Sequence, residues 1–203
     1  LLAYAQGGKY HSKTILLIDF IEDILPLLRQ KIDPAIRIET EFLAGACAVE
    51  VDVNQMKMAL SAVVINAAEA IEGEGWIRII ARGAQIGKNH PDLKSGRYVC
   101  LTVEDDGKGM DEKTRSRIFE PFFSTKFQGR GLGMAATYGI VTNHNGWISV
   151  DSELGKGTVA HILLPVVEPK ARESRPPKLE IFKGSGCQPL STYGCHFSTD
   201  SSY

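Results

Sequence analysis

The residues best suited to chemistry lie between Val103 and Met134, in three short runs: V-E-D-D-G-K-G-M, I-F-E-P-F-F-S-T-K and G-R-G-L-G-M. Val99–Val103 reads as a buried strand, with Val99, Leu101 and Val103 alternating against Cys100 and Thr102. Asp105 ends it, just before Gly107 and Gly109, where missing Cβ atoms permit a sharp turn and let a flat ligand come close. Gly129, Gly131 and Gly133 then lead into a helix predicted over Met134–Thr142. N–H groups at a helix start, at the positive end of its dipole, suit a phosphate chain. One carboxylate and two amide-rich turns thus frame a site for something flat at one end and polyanionic at the other. A nucleotide has that shape.

A second candidate is Asn66. Asp52 or Asn54 is placed to start a helix reaching the turn at Gly73–Gly75, with Met56, Leu60, Val63, Ala67 and Ile71 as its apolar stripe. Asn66 lies off that stripe, on one face with Ala62 and Glu69. An amide oxygen aimed at phosphates is a reasonable single protein ligand for Mg²⁺, which keeps waters and substrate oxygens in its shell. Taken alone, Asn66 reads as well as a solvated helix residue.

The elements that must hold these residues follow from periodicity. Leu1–Tyr10 resembles the last turns of a helix, and Asp19 would cap another reaching about Lys31, with Pro26 inside it. Ile36–Phe42, Trp76–Arg82, Tyr98–Glu104, Trp147–Asp151 and Thr158–Leu164 read as strands, with a polar hairpin loop around Gly87–Gly96. Helices interleave early and strands cluster late. That order favours an α/β two-layer sandwich, with a mixed sheet of about five strands on about three helices. From Pro165 onward the Pro-, Ser- and Gly-rich texture reads as linker or tail, and Gly184-Ser185-Gly186 has the make-up of an artificial junction. Cys187, Cys195 and His196 in that tail are too few ligands for a zinc site.

Composition limits the function. With 203 residues, 43% hydrophobic and 23% charged, the chain has enough for one good core plus flanking segments. A net charge of −1 gives no overall attraction to nucleic acid. No apolar run reaches membrane-spanning length, and the start is not a signal peptide. Four cysteines without a repeating spacing suggest reduced thiols and a cytoplasmic setting, with Cys47 and Cys100 as packing residues. The start at Leu1 without Met reads as a piece of a longer protein.

Asn66 in V-I-N-A-A-E-A, Asp105 in V-E-D-D-G-K-G-M, the run I-F-E-P-F-F-S-T-K, G-R-G-L-G-M, and Gly155–Thr158 (G-K-G-T) come in a telling order. Over about Ser12–Leu164 they resemble the ATP-binding domain of sensor histidine kinases, in the superfamily that includes gyrase, mismatch-repair ATPases and heat-shock chaperones. The resemblance implies that the sheet is mainly antiparallel, in a Bergerat-type fold. It implies domain limits of 1–11 for the end of a dimerisation and phosphoacceptor hairpin, 12–165 for the catalytic domain and 166–203 for the tail. It implies ATP and Mg²⁺ as ligands, and Asn66 and Lys126 as the catalytic groups. Asn66 would hold the metal, and Asp105 would accept from the adenine amine and so select an amino purine over guanine. Gly107 and Gly109 would admit the base, with Ala70, Met110 and Phe119 also at the nucleotide. Lys126, Gly129, Arg130, Gly131, Leu132, Gly133 and Met134 would surround the phosphates, and Thr158 would bond near the adenine. Phe119, Phe122 and Phe123 would anchor a lid, although aromatics so spaced also suit a plain core.

One departure concerns catalysis. Hydrolysing relatives in this superfamily resemble each other in placing a Glu one helical turn before the Mg²⁺-binding Asn, and many histidine kinases carry Asn there. Here the position is Ala62, which cannot take a proton from water. His11, His90, His144, His161 and His196 each read as structural or exposed, so the resemblance places the phosphoacceptor on a hairpin outside this sequence. The partners it implies are that hairpin, in the same or a partner protomer, and a response regulator receiver domain, with a dimer for the full-length protein. Two rivals are weighed. A dinucleotide site at Gly129–Gly133 lacks a preceding buried strand, and no Walker G-x-x-x-x-G-K-[ST] run is present. An ATP-hydrolysing or ATP-sensing module without kinase activity is the other.

Overall fold

The computed structural model describes residues 11–43, 47–88, 92–125 and 131–168. Seven strands and four helices follow one another in this stretch. Strand β1 (Ser12–Leu16) runs straight into helix α1 (Leu17–Arg29), followed by β2 (Ile36–Phe42) and β3 (Ala48–Asp52). Helix α2 (Val53–Ala70), β4 (Gly75–Ile86), β5 (Gly96–Asp105) and the single turn α3 (Glu112–Arg115) come next. Helix α4 (Gly133–Asn143), β6 (Trp147–Glu153) and β7 (Gly157–Val167) complete it.

The strands form one sheet in the order β1-β3-β7-β5-β4-β2, with β6 also pairing β7. Only β2 and β4 run parallel, with Ile36 opposite Gly75; the other pairs are antiparallel. Strand β7 is shared along one edge: residues 157–163 pair β6, and Val166 and Val167 pair β3. Strand β5 lies at the centre and is buried on both faces from Tyr98 to Val103. Ile77, Ile79, Leu101 and Ile162 on the sheet meet Leu60 and Val64 of α2 and Leu17, Ile21 and Ile24 of α1, all almost fully buried. Each such side chain contributes about 1.5–3 kcal/mol by leaving water.

The mixed sandwich is as expected, but the sheet has two strands more than predicted. β1 and β3 are five residues each, and β1 is mostly exposed. What makes them strands is their pairing with each other and with β7, a tertiary cause that short local patterns do not display. Asp19 was expected to cap α1, yet the helix begins at Leu17 with no side-chain cap and holds Asp19 in its first turn. Pro26 sits inside this helix, as the sequence indicated. Helix α2 is capped by Asp52, whose Oδ1 accepts from the amides of Asn54 (3.0 Å) and Gln55 (3.1 Å). It stops at Ala70, short of the Gly73 turn, and Ile71 is already extended. The end of a helix at Leu1–Tyr10, the His90 loop and the tail from Pro169 lie outside the described residues. No helix among the described residues is long and apolar enough to cross a membrane.

Candidate functional site

Asp105 is the last residue of β5 and is buried, with Thr158 opposite it on β7. Its Oδ1 accepts the Gly107 amide at 2.9 Å. Burial pushes its carboxyl up to about 6; the Gly107 and Thr158 amides pull the other way, and neighbouring Asp106 adds to the rise. A cleft of about 560 Å³ opens in front of it, between α2, the loop after β5 and the start of α4. That volume is in the range of small-molecule and cofactor sites. Val103, Val150 and Ala160 supply an apolar floor, while Asn66 and Glu69 look in from α2.

Two loops are locked together at the rim. Lys108 N–H donates to Ala70 O at 2.9 Å, tying the glycine loop to the end of α2, and Gly155 N–H donates to Lys108 O at 2.8 Å. The glycines answer a packing need besides the turn expected of them. A methyl group at Gly107 would lie 2.7 Å from the Ala70 carbonyl, and one at Gly109 (φ +64°) would collide with the Glu153 carbonyl. Chain packed on chain excludes side chains here. Gly109 lines the cleft, whereas Gly107 sits behind it as the donor to Asp105.

At the far end, Leu132, Gly133 and Met134 line the cleft where α4 begins, and no side chain caps that helix. Gly131 stands at φ +62°, with Phe122 N–H donating to its carbonyl at 2.9 Å. The aromatic run divides. Phe119 is half-buried, its ring 5.6 Å from Tyr138. Phe123 lines the cleft under the Arg117 guanidinium, 4.3 Å above its ring. Phe122 is 65% exposed with φ +66°, a conformation that costs a non-glycine residue about 1 kcal/mol or more.

Of the predicted residues, Asn66, Ala70, Asp105, Gly109, Met110, Gly131, Leu132, Gly133, Met134 and Thr158 converge on the one cleft. Gly107 and Phe119 stand just outside its lining, and Lys126, Gly129 and Arg130 lie outside the described residues. Lys108, Glu69 and Ser152 were missed. Lys108 was readable from its place between two glycines; Ser152 shows itself only through the β6–β7 register. Among the described residues, no group of three or more His, Cys, Asp and Glu side chains is placed to hold a metal. A divalent ion would fit here with Asn66, ligand oxygens and waters in its shell. Ala62 faces the start of α4, its Cβ 3.7 Å from where a Gly133 side chain would begin.

Two residues read as structural turn out to be in polar networks. Cys100 is buried on the opposite sheet face, 3.5 Å from Thr102 Oγ1 and 3.9 Å from His161 Nδ1. Burial raises its thiol, but His161 and Thr102 more than offset that and hold it below the usual range. His144 is buried at the end of α4; its Nε2 accepts the Asp52 amide at 2.8 Å, which leaves the ring proton on Nδ1, 2.7 Å from Ile140 O.

A strand-end acid in a cleft, with a glycine turn at one end and a helix start at the other, has the shape and polarity of a nucleotide-binding site. Comparison with known proteins agrees: residues 51–168 match the family described as histidine kinase-, DNA gyrase B- and HSP90-like ATPase, and the chain belongs to that family. Within it, this is an ATP-binding catalytic domain of the sensor histidine kinase kind. It is 33% identical over 183 residues to sensor kinase CckA of Brucella abortus, covering 87% of this chain and 19% of that protein. It is 37% identical over 169 residues to sensor histidine kinase ZraS of Klebsiella oxytoca, covering 82% of this chain and 34% of that protein. Among solved structures, the catalytic domain of histidine kinase ThkA superposes with a TM-score of 0.63 at 26% identity, covering 76% of this chain and 97% of that one. The chain thus spans about a fifth of the length of the first relative and about a third of the second.

Proposed function

We propose that this domain binds ATP with Mg²⁺ in the cleft and presents its γ-phosphoryl group to a histidine on a separate helical hairpin. The observation that carries the reading is Asp105, a buried strand-end carboxylate beside Thr158, with the start of α4 closing the other end of the same cleft. Asp105 accepts from the adenine amine. The amides of Gly131, Leu132 and Gly133 meet the phosphates, joined by Lys126, Gly129 and Arg130. Asn66 would hold Mg²⁺ there, and the ion would supply charge neutralisation at the phosphates. Lys108, in the cleft lining, is a further cation within reach of an anionic ligand.

A neutral imidazole nitrogen brings its own lone pair, so its attack on the γ-phosphorus needs no general base from this domain. The bond to the bridging oxygen breaks and ADP leaves, with positioning and charge neutralisation supplying most of the acceleration. Water, by contrast, would need a base where Ala62 stands. The partners are the dimerisation and phosphoacceptor hairpin, of the same or the partner protomer, and a receiver domain. The full-length protein is a dimer with this domain in the cytoplasm; the hairpin end occupies 1–11, and the catalytic domain runs from 12 to the end of β7 at Val167, past the limit of 165 expected from the sequence, because Val166 and Val167 still pair β3. Radiolabelled ATP mixed with the chain and a separately made acceptor hairpin tests this. Label on the hairpin supports it, whereas rapid release of phosphate by the chain alone would favour the hydrolase reading.

A further inference from the structure

We infer that Ser152 sets base selectivity by fixing the direction of the Thr158 hydroxyl, an inference that rests on the adenine reading above. Ser152 and Thr158 face each other across β6 and β7, and Thr158 faces Asp105 across β7 and β5. The three form one row along the base end of the cleft. Ser152 Oγ accepts the Met110 amide at 2.9 Å and donates to the Gly157 carbonyl at 2.9 Å. A serine hydroxyl has a single hydrogen. With that hydrogen given to Gly157, the 3.0 Å contact between Ser152 Oγ and Thr158 Oγ1 has Thr158 as its donor. Thr158 is then left to show lone pairs, not a hydrogen, to the cleft that it lines.

This wall therefore offers acceptors: the Asp105 carboxylate and the Thr158 oxygen side by side. An amino edge satisfies them directly, and a water donating to Thr158 can donate its second hydrogen to a ring nitrogen. A 6-oxo purine brings a carbonyl oxygen and a ring N–H instead, so its oxygen faces lone pairs. Without the Ser152 hydroxyl, Thr158 loses its internal acceptor, rotates and donates to the 6-oxo group. Ser152 is thus a positioning residue that acts on the base through Thr158, besides pinning Met110 to the Gly157 turn.

Calorimetric titration of the 203-residue chain with ATP and with inosine triphosphate, both with Mg²⁺, reads the selectivity as a ratio of dissociation constants. Ser152→Ala narrows the ratio by roughly threefold or more, the scale of one neutral hydrogen bond, and Ser152→Thr, which keeps the hydroxyl, restores it. Thr158→Val leaves the Ser152 bonds to Met110 and Gly157 in place and also narrows the ratio, and adding Ser152→Ala then changes nothing further. An unchanged ratio in Ser152→Ala that keeps the parent's circular dichroism overturns the inference, as does equal narrowing by Ser152→Ala with Thr158→Val present. Should Ser152→Ala not fold, an unchanged ratio in Thr158→Val overturns it alone. If Asp105→Asn still loses ATP, those failures touch Ser152 only. If Asp105→Asn binds ATP like the parent, the adenine reading itself has failed.

Discussion

Asp105 is where the protein's stability and its ligand chemistry conflict. The folded state raises its carboxyl from the ordinary 3.8 to about 6, mainly by burial, so the fold holds this proton more tightly than the unfolded chain does. The stabilisation is complete below about pH 4 and is lost as pH rises through 6; at neutral pH the ionised group costs up to about 3 kcal/mol. Asp105→Asn is therefore expected to be more stable than the parent without nucleotide at pH 7.5, with the advantage shrinking by pH 5. Urea unfolding at the two pH values checks this, and an advantage independent of pH would contradict it. Asn66 makes a separate test. Asn66→Ala should erase the gain in nucleotide affinity that Mg²⁺ gives, roughly tenfold or about 1.4 kcal/mol, while binding without Mg²⁺ stays near the parent's. Equal Mg²⁺ gains in both proteins would remove Asn66 from the metal.

Helix α2 and its cap couple the entry strand to the cleft. Asp52 Oδ1 caps the helix carrying Asn66, its Oδ2 accepts the His11 amide at 3.1 Å, and its own amide donates to His144 at the end of α4. Burial pushes the Asp52 carboxyl up, but the amides of His11, Gln55 and Asn54 outweigh it and leave the group below 3.8. Its stabilising share is present above the ordinary carboxylate range and fades as pH falls through the lowered value. Asp52→Ala should cost about 1–2 kcal/mol at pH 7 and less in acid, measured by thermal unfolding. Gly131→Ala should cost more than 1 kcal/mol, since its methyl would lie 2.6 Å from the Phe123 carbonyl at a positive φ. Helices α1, α2 and α4, β2, the β4–β5 hairpin and the last two strands were legible because each carries its own period or turn signal, whereas the single turn α3 was not expected. β1 and β3 were not: S-K-T-I-L and A-V-E-V-D become strands through partners distant in sequence. At the site, residue types were legible while their mutual supports were not. Asp105 and Thr158 stand out in their motifs, but that Gly107 is needed against Ala70, and that Ser152 holds Thr158, depends on register and close packing.

At the scale of the molecule, one open sheet carries the helices that frame the cleft, and the family match covers 51–168 of that unit. With Ala62 in place of a base, the chain by itself should release phosphate from ATP only slowly, and Ala62→Glu should raise that rate; a coupled phosphate assay reads both. The most direct measurement of the central claim is the rise in unfolding temperature on adding Mg·ATP, for the parent and for Asp105→Asn. A clear, concentration-dependent rise is expected in the parent, with loss of most of it in the variant, matching a buried contact worth about 1–3 kcal/mol. Equal rises in the two proteins, or none in the parent, would contradict it.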